Sequence, residues 1–228
     1  MLDIMRVLRV GIDDAPPAPM QIGSPDAASF QGYEVDLLER IAAELNSSIV
    51  YRRALWSVIV GELISGKIDA ICSAASVTPE RAEQVDFCSP HLGLKLGLVV
   101  REGQHEAPRV LGVRRGTTAE SYVKRMSPAA ERVVISESNE QLYEALRGGE
   151  LDGVVDDSPI ARYFSSLKSG LRYITSYAGT EAEYAIAVRK GNDELRLQIN
   201  AQIAKLEAEG TLEDFRRRWF GTSNFLIA

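Results

Sequence analysis

The chain has 228 residues, 26 Lys and Arg against 32 Asp and Glu, a formal net charge of −6 and a hydrophobic fraction of 45%. That length allows one large or two modest domains, and the balance is that of an ordinary globular protein. A net acidic chain carries no electrostatic footprint for nucleic acid, and no apolar run approaches the ~20 residues of a membrane-spanning helix. Met1 to Arg6 is too short and too polar for a signal-peptide core. The expectation is a cytoplasmic protein or one whose leader has been removed.

Leu8 to Ile12 reads as a short strand running into Asp13-Asp14-Ala15-Pro16-Pro17-Ala18-Pro19, a loop whose prolines exclude helix and central strand. Tyr33 to Leu45 has helical spacing, with Val35, Leu38, Ile41, Ala42 and Leu45 on one face. Ile49 to Arg53 reads as strand, Val58 to Ser65 as helix closed by Gly66, and Ile68 to Ser73 as strand again. This β-α-β-α-β order predicts a parallel sheet flanked by helices. The pattern then restarts. Leu94 to Val100 and Arg109 to Val113 read as strands, and Thr117 with Glu120 forms a capping box before a helix from about Ser121. Strand Val133–Ser136, helix Asn139–Arg147 stopped by Gly148-Gly149, and strand Leu151–Val155 follow. Asp156-Asp157-Ser158-Pro159 then opens another helix. Tyr184 to Val188 is a last strand, and Glu194–Glu209 and Thr211–Trp219 are closing helices.

Two similar halves emerge, each with strands that end at helix N-termini. In the first, Ser73-Ala74-Ala75-Ser76-Val77-Thr78-Pro79-Glu80-Arg81 follows a strand. Thr78 suits an N-cap, Pro79 the first helical position and Glu80 the first turn. Free N–H groups at such an end bind anions, and the Arg81 guanidinium matches a carboxylate. A plain strand–turn–helix junction with a solvated arginine is the competing reading. Asp13-Asp14, Arg114 to Thr118 and Asp156-Asp157 are the other polar strand ends. Ser76, Arg81 and the N–H of Thr118 suit a carboxylate, and Asp157 an ammonium. Together they fit a zwitterion, although an Asp before Ser-Pro is also a common helix cap. Trp56 lies at the turn before a helix, against an apolar or cationic ligand side chain or in the core.

Catalytic signatures are missing: there is no Gly-x-Ser-x-Gly elbow, no Walker Lys-Ser/Thr ending and no Gly-x-Gly-x-x-Gly. Cys72 and Cys88 read as buried thiols or as a pair. With His91 and His105 they make no recognisable zinc pattern, and no cofactor is implied. His91 reads as structural.

In order and spacing, several segments resemble one family. They are Leu8-Arg9-Val10-Gly11, Gly32-Tyr33-Glu34-Val35-Asp36-Leu37, Gly66-Lys67-Ile68-Asp69-Ala70, Thr78 to Phe87, Gly116-Thr117-Thr118, Asp156 to Pro159, Ala187 to Gly191, Gly210-Thr211-Leu212 and Trp219-Phe220-Gly221. The chain resembles the bacterial extracellular solute-binding proteins of the polar amino-acid type, which feed ABC importers. The resemblance implies an α/β, type II periplasmic-binding-protein clamshell. Its lobes would be residues 1–92 with 187–228, and 93–186, each a mostly parallel sheet with flanking helices, joined by two crossover strands as hinge. It implies a periplasmic or extracytoplasmic monomer whose partners are an amino acid and a permease, with membrane contact only through that permease or a lipid anchor outside this chain.

By motif position the resemblance assigns Arg81, Ser76 and Thr118 to the α-carboxylate, with Arg114 beside them. It assigns Asp157 and the carbonyl of Ser73 or Ala74 to the α-ammonium, and Asp13 and Trp56 to the border of the side chain. Asp13, Asp14 and Asp156 near the side-chain end lean toward a polar or cationic ligand, with solvation of loop acids the competing reading. The sequence departs from the family at Pro16, where an aromatic is usual, at Ala74-Ala75, and at His91-Leu92, where the family has an aromatic pair. A dehydratase relative on the same scaffold, similar to cyclohexadienyl dehydratase, would need a Glu at the position held by Ile160. A sensor domain of a larger receptor is the third reading.

Overall fold

The structure is a computed structural model and describes residues 6–104, 107–126, 130–167 and 170–221. Met1 to Met5 and His105 lie outside the described residues. The chain divides into two compact units: Met1–Gly93 with Ala182–Ala228, and Leu94–Glu181.

In chain order the first unit contributes β1 (Arg6–Asp13), α1 (Tyr33–Glu44), β2 (Ser47–Ala54), α2 (Trp56–Ile64), β3 (Ala70–Ile71), α3 (Pro79–Ala82), β4 (Val85–Phe87) and most of β5 (Leu92–Leu94). The second contributes β6 (Leu96–Arg101), β7 (Val110–Arg114), α4 (Thr118–Met126), β8 (Arg132–Ser136), α5 (Asn139–Gly148), β9 (Gly153–Asp157), α6 (Ser158–Ser166) and β10 (Leu171–Ser176). The first unit then resumes with β11 (Ala182–Tyr184), β12 (Ala187–Arg189), α7 (Asp193–Ala208) and α8 (Thr211–Phe220).

The first sheet has the order β2-β1-β3-β12-β4 and the second β10-β6-β9-β7-β8, while β5 and β11 form a two-stranded sheet. Each five-stranded sheet is mixed, an outcome the β-α-β order did not predict. β1 is parallel to β2 and β3, but β12 runs antiparallel to β3 and β4. Likewise β7 is parallel to β8 and β9, but β6 runs antiparallel to β9 and β10. The antiparallel pairings come from strands that follow a crossing between the units, so no β-α-β step fixes their direction.

The first core gathers Ile59 and Leu63 of α2, Ile68, Ile71, Ala75, Val85 and Ala187. The second gathers Val99, Leu142, Leu146, Val154, Ile160 and Leu171 around a stacked Tyr143–Phe164 pair, 4.1 Å between ring centroids. Burial of each of the larger aliphatic or aromatic side chains contributes about 1.5–3 kcal/mol, which holds the strand ends in place.

Three expected strands are shorter or broken. Ile68–Ser73 is strand only over Ala70–Ile71, with single backbone bonds to β1 from Asp69 and Cys72 on either side, and the backbone turns to φ 51° at Ala74. Leu94–Val100 is interrupted at Lys95, whose N–H donates to Ser158 Oγ at 3.2 Å while its carbonyl accepts from Ser158 N. Tyr184–Val188 divides into β11 and β12. The Gly66 stop has φ 75° and the Gly149 cap is left-handed, as helix ends of this type require.

Candidate functional site

In the first unit the polar residues collect where β1 and β3 end. Asp13 closes β1 and is 2% exposed. Its N–H donates to Ser73 Oγ at 3.0 Å, and its Oδ1 accepts from Ala15 N at 2.8 Å. Ser73 therefore ties the end of β1 to the end of β3. Ala74 follows in a positive-φ conformation that costs an L-residue about 1 kcal/mol or more. Buried Glu34 holds it there: Ala74 N–H reaches Glu34 Oε1 and Oε2 at 2.9 and 3.0 Å. Ser76 is buried and bridges to Tyr184 across an isolated antiparallel pair.

Arg81 sits in α3, a single helical turn. Thr78 Oγ1 accepts from Arg81 N at 3.3 Å, the cap expected from the sequence. The Arg81 side chain folds back so that Nη1 donates to the Ser76 carbonyl at 2.8 Å. Its guanidinium carbon lies 4.9 Å from the centroid of the Trp56 ring. Trp56 opens α2 and packs partly buried against the first core. Loop carbonyl and indole thus fix the orientation of the cationic fork.

In the second unit the strand ends of β7 and β9 carry the polar groups. Arg114 is 8% exposed and donates from Nε to the Glu137 carbonyl at 3.0 Å. α4 starts at Thr118, three residues earlier than periodicity indicates. The Thr117 half of the capping box forms, with Thr117 Oγ1 accepting from Glu120 N, while Glu120 Oε2 accepts from Gly116 N, one residue before the cap. Thr118 Oγ1 donates to Asp157 Oδ1 at 3.4 Å.

Asp156 and Asp157 end β9, so strand alternation sends their side chains to opposite faces. Asp157 takes the face shared with Thr118, and no side-chain bond caps α6 from it. Asp156 turns into the interior of its unit. Its Oδ2 accepts from Asn139 Nδ2 at 2.8 Å and from the Tyr143 hydroxyl at 3.2 Å, while its Oδ1 accepts from Asp157 N at 2.9 Å. Burial, and then the neighbouring Asp157 charge, raise the Asp156 pKa to about 8.

Several residues that build these strand ends have no signal of their own in the sequence. Glu34 stands in the first turn of α1, where an acid reads as a partner of the helix dipole. Asn139 and Tyr143 lie on α5, where they read as a helix start and an apolar-face aromatic. Cys72 and Cys88 are both buried and unbridged. His91 is wholly buried, and burial together with the Arg216 charge lowers its pKa to about 3.

Two mixed α/β units, with the chain passing from one to the other and back, define a type II periplasmic-binding-protein fold. Residues 8–222 match the model for bacterial extracellular solute-binding proteins, family 3, and the chain belongs to that family. It is 31% identical over 230 residues to the L-arginine-binding protein of Pseudomonas aeruginosa, covering 93% of this chain and 87% of that one. It is 25% identical to the L-cystine-binding protein TcyJ of Escherichia coli, covering 94% and 82%. Among solved structures, an ancestral arginine-binding protein bound to arginine superposes with a TM-score of 0.84 at 29% identity, covering 94% of this chain and 98% of that one. The ancestral amino acid-binding protein AncCDT-1, described as a precursor of cyclohexadienyl dehydratase, superposes with a TM-score of 0.85 at 26% identity, covering 94% and 95%.

Proposed function

We propose that the protein is an extracytoplasmic receptor that captures a free α-amino acid, with a lean toward polar or cationic side chains, and delivers it to the permease of an ABC importer. The observation that carries this reading is the fixed orientation of Arg81, held between the Ser76 carbonyl and the Trp56 ring. A pre-oriented guanidinium loses less freedom on binding and can grip a carboxylate with two bonds.

In this reading Arg81, Ser76 and the N–H of Thr118 receive the α-carboxylate, with Arg114 adding positive charge. Asp157 and the carbonyl of Ser73 or Ala74 receive the α-ammonium. Asp13 and Trp56 border the ligand side chain. Asp156 takes a supporting role, because Asn139 and Tyr143 already engage its carboxyl group. The relatives named for arginine support the cationic lean.

Binding is favoured over dehydration on this scaffold by Ile160. It is 3% exposed and packs in the second core, so the position offers no proton donor. A thermal-shift screen against the twenty amino acids tests the reading. A ligand that binds only the folded state raises the melting temperature by mass action. The expected outcome is a concentration-dependent rise with arginine, lysine or another polar amino acid. A flat response across the panel contradicts it.

A further inference from the structure

Behind the end of β3, within the first unit, Glu34, Cys72 and His91 converge. The ligating atoms of the three side chains all lie within 4.8 Å of one another. Each residue is 0% exposed. His91 Nε2 is 3.7 Å from Glu34 Oε1. Neither ring nitrogen of His91 has a hydrogen-bond partner among the described residues. Leaving a buried polar atom unsatisfied costs about 1–3 kcal/mol, and an ion is one of the standard explanations for such an atom.

We propose that Glu34, Cys72 and His91 form a buried binding site for a divalent, thiophilic metal ion of the zinc type. One thiolate, one imidazole and one carboxylate are a donor set that zinc accepts, and they leave one position of a tetrahedron for a fourth ligand. A triangle with edges of up to 4.8 Å places its centre at most ~2.8 Å from each corner. Bond lengths of ~2.0–2.3 Å are reached by side-chain movements of about half an ångström.

The surroundings suit the assignment. The buried Gln21 carboxamide donates from Nε2 to Glu34 Oε2 at 3.3 Å and to the Cys72 carbonyl at 2.5 Å, and its own Oε1 has no partner among the described residues. Ala74 N–H orients the Glu34 carboxylate from the other side. The two Arg216 bonds to the His91 carbonyl, at 3.0 and 3.3 Å, fix the histidine backbone. Outer partners of this kind hold ligands in register. A divalent ion is held by the carboxylate of Glu34 and the thiolate of Cys72, and their protons leave as it binds. Because the site is closed, the ion enters as the chain folds.

The test is refolding of the full chain from denaturant, after chelator treatment, with Zn²⁺ or Co²⁺ present. Elemental analysis after gel filtration reads the stoichiometry. The expected result is one ion per chain, a Co²⁺ adduct with a thiolate charge-transfer band, and an unfolding midpoint that rises with ion concentration. Cys72→Ser and His91→Leu are expected to lose the ion, and Cys88→Ser to keep it. A wild-type chain that refolds without taking up either ion overturns the proposal. So does a Co²⁺ adduct with no thiolate band, a reading on the wild type that does not depend on how the variants fold.

Discussion

Replacement of Asp156 by Asn isolates the electrostatic cost built into the second unit. The wild-type carboxyl is raised from 3.8 to about 8, first by burial and then by Asp157. An acid whose folded pKa exceeds its unfolded value keeps a proton that the unfolded chain releases. Its contribution to stability is therefore complete below about pH 4 and is lost as pH rises toward about 8. At ~1.4 kcal/mol per tenfold change the full rise corresponds to at most about 6 kcal/mol. Sharing the charge with Asp157 reduces the expected value to the order of 3 kcal/mol.

The carboxamide introduced by Asp156→Asn cannot ionise. Its amide group can donate toward Asn139 Oδ1, which has no partner among the described residues of the wild type, and toward the Tyr143 oxygen, while its carbonyl accepts from Asp157 N. The assay is urea denaturation followed by far-ultraviolet circular dichroism from pH 5 to 8.5. With a slope of about 2–3 kcal/mol per molar urea, the wild-type midpoint should fall by about 1 M relative to the variant across that range. Parallel pH profiles for the two proteins, or a wild type that gains stability relative to the variant as pH rises, refute the reasoning.

Three further outcomes follow from local geometry. At Gly32, φ is +151° and an added Cβ would lie 2.2 Å from the Met20 carbonyl oxygen. Gly32→Ala should therefore destabilise by about 2–4 kcal/mol in a denaturant titration. Thr78→Ala removes the cap of α3, so it should cost about 1 kcal/mol, a fall of about 2–4 °C in melting temperature, and weaken ligand binding through Arg81. Arg216→Met removes two bonds to the His91 carbonyl and a third, half-exposed one to Glu207 Oε1 at 2.9 Å, but the Tyr33 hydroxyl still donates to the His91 oxygen at 2.6 Å. The loss should stay near 1–2 kcal/mol in the same titration, and a loss above ~4 kcal/mol would mean that the guanidinium does more than these bonds.

Helix ends were the most legible part of the sequence, because their chemistry is local. Thr78, the Thr117–Glu120 box and Gly149 all act within one turn of their own position. Strand ends were less legible. The bend at Ala74 depends on Glu34, a residue far away in sequence, and nothing at Ala74 announces it. The direction of β12 and β6 depends on where the chain crosses between units, which spacing does not encode. In the candidate site, nothing in the adjacent letters Asp156-Asp157 shows that Asn139 and Tyr143 engage the first of them, which strand alternation and the fold decide. The Glu34, Cys72 and His91 cluster has no spacing signature, because the fold rather than a motif brings the three together.

Isothermal titration calorimetry of the wild type and Arg81→Ala against arginine, lysine, glutamine and histidine tests the central claim most directly. The account predicts one amino acid bound per wild-type chain, and a loss of about 2–5 kcal/mol in Arg81→Ala, because a carboxylate is left without its charged partner. A folded wild type that binds no amino acid, or an Arg81→Ala variant with unchanged affinity, would contradict it.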